Sequence, residues 1–309
     1  MITRADVEEA AERVGPRVRR TPVAEVEPEA LGTPGPVLLK LELLQHTGSF
    51  KPRGMFNRIL SAGTEAKAAG VIAASGGNAG LAVAYAAAQL GLRAEIFVPE
   101  SSSPVKVQRL RALGAEVTVT GAFYADAYAA SQRRAAASGA LVVHAYDQPE
   151  VAAGQGTVAR ELEAQAPGFD IVLVAVGGGG LLEGIATWIE GSRRVVAVEP
   201  ERCPTLARAL AAGEPVDVEV GGLAADSLGA RQVSASSLAA AGRAGVVPVL
   251  VPDEAIAAAR RRLWEQLRVV AEPGGACALA ALVSGAYRPS PGERLAVVIC
   301  GGNTDPSDL

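Results

Sequence analysis

The stretch Ile171-Val172-Leu173-Val174-Ala175-Val176-Gly177-Gly178-Gly179-Gly180-Leu181-Leu182-Glu183-Gly184-Ile185-Ala186-Thr187-Trp188-Ile189 decides the fold class. Its first six residues are apolar without alternation, as in a strand buried on both faces. A glycine run follows directly, then a helix-like segment from about Leu181 to Ile189, then the strand Val195 to Val198. Strand, glycine turn, helix and second apolar strand together make the grammar of a parallel sheet with crossover helices.

The same alternation extends outward in both directions. Toward the N-terminus, Val71 to Ala74 reads as a strand, Ala79 to Leu90 as a helix ended by Gly91, and Ala94 to Val98 as the next strand. Pro104 to Leu113 then predicts a helix, Glu116 to Thr120 a strand, Asp126 to Ser138 a helix and Leu141 to His144 a strand. A helix over Thr157 to Gln165 leads into the central stretch. Toward the C-terminus, Asp253 to Leu267 and Gly275 to Leu282 predict helices, and Leu295 to Cys300 a closing strand.

Composition narrows the function classes. The 309 residues are 49% hydrophobic and 20% charged, with 35 Gly and 19 Pro, the profile of a folded globular enzyme of one large or two coupled domains. A formal net charge of -4 without a dense Lys/Arg run argues against nucleic acid as a partner. Cys203, Cys277 and Cys300 are odd in number and far apart, so neither a disulfide framework nor a zinc cluster is expected, and a reducing cytoplasm fits. Met1 to Arg20 carries no apolar run of the secretory kind, and no apolar stretch approaches the ~20 residues that span a bilayer.

Four loops carry chemistry. In Thr47-Gly48-Ser49-Phe50-Lys51-Pro52-Arg53-Gly54, preceded by Lys40-Leu41-Glu42, a lysine among small residues is placed to meet an aldehyde, and burial would make its amine a neutral nucleophile. Read alone, Lys51 is more often a surface lysine before a helix. Ser75-Gly76-Gly77-Asn78-Ala79-Gly80, at a strand-to-helix junction, offers consecutive N–H groups to a carboxylate, or is a plain glycine turn with a capping Asn. Gly177 to Gly180 with Leu181 suits a phosphate at a helix start. The nicotinamide fingerprint fails on spacing, because the sixth position from Gly177 is Leu182 and from Gly178 is Glu183. Cys300-Gly301-Gly302-Asn303 closes the last strand where ligands collect in open parallel sheets, although a buried apolar cysteine reads the same way.

In this order the four loops resemble the fold type II pyridoxal phosphate enzymes, specifically the serine/threonine dehydratase branch. Ala153-Gly154-Gln155-Gly156-Thr157, Val198-Glu199-Pro200 and Glu272-Pro273-Gly274-Gly275-Ala276 extend the likeness over nearly the whole chain. The resemblance implies two open, mostly parallel twisted sheets with flanking helices. It places a large cofactor-binding domain over 1–53 and 145–309, and a small substrate-binding domain over 54–144. It implies that Lys51 holds pyridoxal 5′-phosphate as a Schiff base and that Phe50 packs close to the ring. Asn78 would bond the cofactor's phenolic oxygen, Gly177, Gly178, Gly179, Gly180 and Leu181 its phosphate, and Cys300 its ring nitrogen. Ser75, Gly76, Asn78 and Ala79 would hold the substrate carboxylate. The implied reaction is elimination of water and then ammonia from L-serine or L-threonine, in a cytoplasmic homodimer.

Departures from that pattern carry their own expectations. Racemases of the family have a serine two residues before the asparagine; here Gly76 leaves the face opposite Lys51 without a proton carrier. Ala79 replaces the histidine of most bacterial threonine dehydratases and looks more like the liver-type serine dehydratases. The alternatives are therefore a dehydratase of a bulkier 3-hydroxy amino acid, a racemase, or an inactive sensor of pyridoxal phosphate or a small anion. Glu199 is a candidate ligand for a monovalent or divalent cation, although the acidic residues that often follow are replaced near Cys203 and Thr205. His46 and His144 are read as structural, and Arg53 as a salt-bridge anchor for its helix. With the sequence ending at Leu309 and no regulatory extension, feedback by isoleucine is not expected.

Overall fold

The computed structural model describes residues 1–308. Ten strands form: β1 Val23–Val26, β2 Val37–Lys40, β3 Val71–Ala74, β4 Ala94–Val98, β5 Glu116–Val119, β6 Leu141–Val142, β7 Ile171–Ala175, β8 Arg194–Pro200, β9 Val247–Val251 and β10 Leu295–Val298. They make a six-stranded sheet in the order β1-β2-β10-β7-β8-β9 and a four-stranded sheet in the order β5-β4-β3-β6. Every pairing is parallel except β1 with β2. The expected two-sheet, mostly parallel α/β fold is what forms.

The central strands behave as their composition requires. All residues of β7 and β10 are buried, and each fully buried Val, Leu or Ile contributes about 1.5–3 kcal/mol relative to exposure. The helices Gly180–Ile189 and Pro273–Val283, buried almost along their whole lengths, cover this sheet. A second core lies under the four-stranded sheet, where Met55, Phe56 and Ile59 of the helix Pro52–Ser61 pack with Ala82, Val83 and Ala86 of the helix Asn78–Gln89.

Two departures from the sequence expectation bear on the site. The helix expected over Thr157 to Gln165 starts eight residues earlier, at Pro149, so Gly154 and Gly156 lie inside it. Interior glycine costs about 1 kcal/mol against alanine, but here it allows two helices to touch. A Cβ on Gly154 would stand 2.5 Å from the Arg53 carbonyl oxygen, and one on Gly54 2.7 Å from the Val151 carbonyl oxygen. The last strand of the small sheet stops at Val142 rather than His144, because the chain turns: His144 Nδ1 accepts the Asp147 N–H at 2.9 Å. His144 is thus a turn-forming residue, and His46 stacks on Tyr85 with 4.9 Å between centroids. His46 thus packs on Tyr85 and His144 holds the turn before Tyr146.

Candidate active site

The lysine loop is shaped by two consecutive left-handed residues. Thr47 has φ 60° and Gly48 φ 76°, a conformation disfavoured for threonine, and Asn303 holds it by donating its amide to the Thr47 carbonyl at 2.7 Å. The reversal lets Ser49 bridge to Gly301 and Phe50 N–H donate to the Cys300 carbonyl at 3.1 Å. Lys51 is thereby carried to the end of β10, at the N-terminus of the helix Pro52–Ser61. Its amine donates to the Ala145 carbonyl at 2.8 Å and lies 5.0 Å from the Phe50 ring centroid.

Electrostatics favour a neutral amine at Lys51. Burial lowers its pKa to about 8, while Cys300 and Glu272 oppose the shift, and the positive end of its own helix acts in the same direction as burial. The chain has four lysines. Lys40 is committed to three acceptors, Lys106 pairs with Asp226, and Lys67 lies on the short helix Thr64–Ala68.

Asn78 begins the helix Asn78–Gln89 at the end of β3. Its amide donates to Glu272 Oε1 at 2.6 Å, and its Oδ1 accepts from Asn303 at 2.7 Å. Ser75 Oγ accepts the Gly77 N–H at 3.3 Å, and the first bond of the helix runs from Leu81 N–H to the Gly77 carbonyl at 3.1 Å. The N–H groups of Asn78, Ala79 and Gly80 therefore precede the first helical bond, as a carboxylate site requires.

Gly177 to Gly180 lie between β7 and the helix Gly180–Ile189, with Gly179 at φ 97°. A Cβ on Gly178 would stand 2.3 Å from the Tyr146 ring, so the bare backbone is needed for that ring to lie against it. The first bond into the helix, Glu183 N–H to the Gly179 carbonyl at 2.8 Å, leaves the preceding N–H groups, through Leu181, at the positive end of the helix. Cys300 is buried, its thiol donating to the Gly274 carbonyl at 3.4 Å. Burial, reinforced by Glu272, pushes that thiol up to about 12, so it is neutral.

These residues fit pyridoxal phosphate: a nucleophilic amine, a side-chain-free loop at a helix start, a neutral ring-nitrogen partner and an amide donor lie along adjoining strand ends. Thr47 Oγ1 and Ser49 Oγ, in the lysine loop itself, are buried without partners, a cost that a bound polar group relieves.

Glu272, Asn303, Ala145 and Tyr146 join the site although sequence reasoning gave them no role. Glu272 and Asn303 stood inside quoted motifs, which was the available signal. Burial raises Glu272 to about 7, against the Asn78 hydrogen bond. Glu272, Asn303, Asp226 and Ser227 line a cavity of about 310 Å³ that adjoins these residues but is not lined by Lys51, the glycine run or Cys300. Lys106 bridges to Asp226 beside it.

Glu199 is placed elsewhere. It is fully buried, and its two oxygens accept the N–H groups of Leu206 at 2.7 Å and Ala207 at 2.9 Å, satisfying the open donors at the start of the helix Thr205–Ala212. Among the described residues no group of three or more His, Cys, Asp or Glu is arranged to hold a metal ion.

Comparison with known proteins agrees with this geometry. The family described as pyridoxal-phosphate dependent enzyme matches residues 14–301, and the chain belongs to it. An L-threonine ammonia-lyase of Geobacter sulfurreducens is 38% identical over 304 residues, covering 97% of this chain and 75% of that protein. The crystal structure of a T.th. threonine deaminase superposes with a TM-score of 0.90 at 35% identity, covering 98% of this chain and 99% of that one. Maize serine racemase superposes with a TM-score of 0.93 at 30% identity, covering 99% and 94%.

Proposed function

We propose that this protein is an ammonia-lyase that uses pyridoxal phosphate to convert L-threonine or L-serine to the 2-oxo acid and ammonia. The observation that carries the reading is the Lys51 amine, held at 2.8 Å by the Ala145 carbonyl with its pKa lowered to about 8. The threonine ammonia-lyase and threonine deaminase relatives support the same reaction.

When bound, the cofactor supplies a conjugated, electron-withdrawing ring that makes the substrate's Cα proton labile. The chain's own residues do the rest. Ser75, Gly76, Asn78 and Ala79 bind the substrate carboxylate at the helix start. Gly177 to Gly180 and Leu181 would hold the cofactor's phosphate, Phe50 would flank its ring, and Asn78 would bond its phenolic oxygen. Lys51, whose pKa is lowered to about 8 so that more of it is free amine than in an ordinary lysine, takes the Cα proton. Cys300, a neutral thiol, would face the ring nitrogen without supplying the negative charge of a carboxylate partner, which would favour loss of the β-hydroxyl over transamination. Gly76 offers no acid on the opposite face, so the proton is handled from one side.

The cofactor-binding unit is assigned to 1–53 with 145–309 and the substrate-binding unit to 54–144, a division matched by the separation of the strands into two sheets. No described helix is long and apolar enough to cross a membrane. Three unpaired buried cysteines suit a reducing cytoplasm, and the family resemblance supports a homodimer.

The test is a panel of L-threonine, L-serine and bulkier 3-hydroxy amino acids incubated with the cofactor-loaded protein, with 2-oxo acid measured. Release from threonine or serine above the bulkier compounds is expected. No 2-oxo acid from any of them would overturn the reading.

A further inference from the structure

Three motif fragments have no part in the chemistry above: Lys40-Leu41-Glu42, Arg53-Gly54, and Gly154 to Thr157. The fold brings all three together behind Lys51. Arg53 is 1% exposed, and Lys40 and Glu42 are fully buried. Arg53 grips Glu42 with both edges of a fork, Nε to Oε2 at 2.8 Å and Nη2 to Oε1 at 2.7 Å. Its Nη1 and Nη2 also reach Glu161 at 3.2 and 3.1 Å. Lys40 completes the group, donating to Glu161 at 2.5 Å, Gln165 at 2.7 Å and the Thr21 carbonyl at 2.8 Å.

Two cations and two carboxylates balance in charge. Such a buried cluster is a poor source of stability, since desolvation consumes most of the Coulombic gain and apolar replacements are often as stable. Its geometry, however, joins the segments that place the reactive amine. Arg53 sits in the first turn of the helix that Lys51 begins. Glu161 lies on the helix Pro149–Gln165, which follows directly on Ala145, the Lys51 acceptor, and Tyr146, which lies against Gly178. The two helices touch through Gly54 and Gly154, so neither turns without the other. Gln155 additionally donates to the Lys51 carbonyl at 3.5 Å.

We propose that the quartet Lys40, Glu42, Arg53 and Glu161 is a clamp fixing Lys51 against Ala145, with Arg53 the positioning residue of the proton transfer. Arginine is required because only a planar fork serves two carboxylates at once; lysine keeps the charge and loses the geometry. The inference rests on Lys51 acting as the base.

Two variants test it: Arg53→Lys, and the charge-balanced pair Arg53→Met with Glu42→Met. Each is measured for thermal midpoint, for kcat and KM as cofactor-loaded enzyme, and for the pH midpoint of Lys51 acetylation in full-length protein before cofactor is added. The clamp predicts midpoints within a few degrees of the parent and KM little changed. It predicts kcat lower by roughly a hundredfold, the scale of a small displacement of a reacting group. The acetylation midpoint should move up from about 8 toward that of a free lysine. Parental kcat and acetylation midpoint in both variants would overturn the clamp, as would failure of both to fold, which would make the quartet a stability element. If the parent itself deaminates nothing, the proposed function fails, while the acetylation midpoint still reads the clamp.

Discussion

The Asn78 side chain donates to Glu272 Oε1 across 2.6 Å, joining the helix start beside the small sheet to the turn before the helix Pro273–Val283. Glu272 is buried and its pKa is raised to about 7. Between pH 4.5 and 7 the folded protein therefore binds this proton more tightly than the unfolded chain, and stability falls as pH rises through that window. Glu272→Gln keeps an acceptor for Asn78 and removes the titration. In cofactor-free protein the variant is expected to gain more stability over the parent at pH 8 than at pH 5, by up to about 3 kcal/mol at about 1.4 kcal/mol per unit. Denaturant melts at the two pH values measure the difference, and an equal effect at both would contradict it.

On the proposed role of Lys51 as the base, its titration sets the pH profile of turnover. Its folded pKa of about 8 means that the ammonium form, useless as a base, dominates below that value. We expect kcat to rise about tenfold per pH unit below the midpoint and to level off above it. Steady-state rates from pH 6 to 9.5 check this, and a profile flat across that range would exclude Lys51 as the titrating base.

Gly76 admits a side chain once the Ser102 side chain gives way by a few tenths of an ångström. A Cβ there would meet Ser102 Oγ at 3.3 Å and Val98 Cγ1 at 3.6 Å, and Gly76 is not among the positive-φ glycines. Gly76→Ser supplies the hydroxyl that the racemases of the family carry at this place. Chiral chromatography should find negligible D-serine from L-serine with the parent and measurable D-serine with the variant. Efficient D-serine formation by the parent would remove the one-sided-base account.

Gly178 has no such room. Tyr146 is held by His144, 4.8 Å between ring centroids, and by its hydroxyl donating to the Gln232 carbonyl at 3.3 Å, so a side chain on Gly178 pushes into a fixed ring. Gly178→Val is expected to weaken cofactor binding roughly a hundredfold, about 3 kcal/mol. Cofactor titration followed by fluorescence gives the affinity; unchanged binding would move the phosphate site elsewhere.

Sequence patterning exposed the elements whose local signals are strong. Ile171 to Val176 with its glycine run was readable because a doubly buried strand tolerates no polar residue and the turn after it tolerates no side chain. The early start of the helix Pro149–Gln165 was not readable, because glycines at 154 and 156 lower local propensity and only a neighbouring helix repays them. In the site, Lys51, Asn78, the glycine run and Cys300 stood out by motif. Glu272 and Asn303 did not, since what matters in them is a chain of hydrogen bonds from Thr47 through Asn303 and Asn78 to Glu272, between residues up to 256 positions apart. Arg53 was legible as a salt-bridge anchor, but its partner Glu161, 108 residues away, was not.

The most direct test of the whole account is to load the protein with pyridoxal phosphate, reduce it with borohydride, and find the labelled peptide by mass spectrometry. With four lysines in the chain, the answer is unambiguous. The account predicts label on Lys51 alone, with the visible absorption band of the loaded protein absent in Lys51→Ala. Label on Lys40, Lys67 or Lys106, or a band that persists in Lys51→Ala, would contradict it.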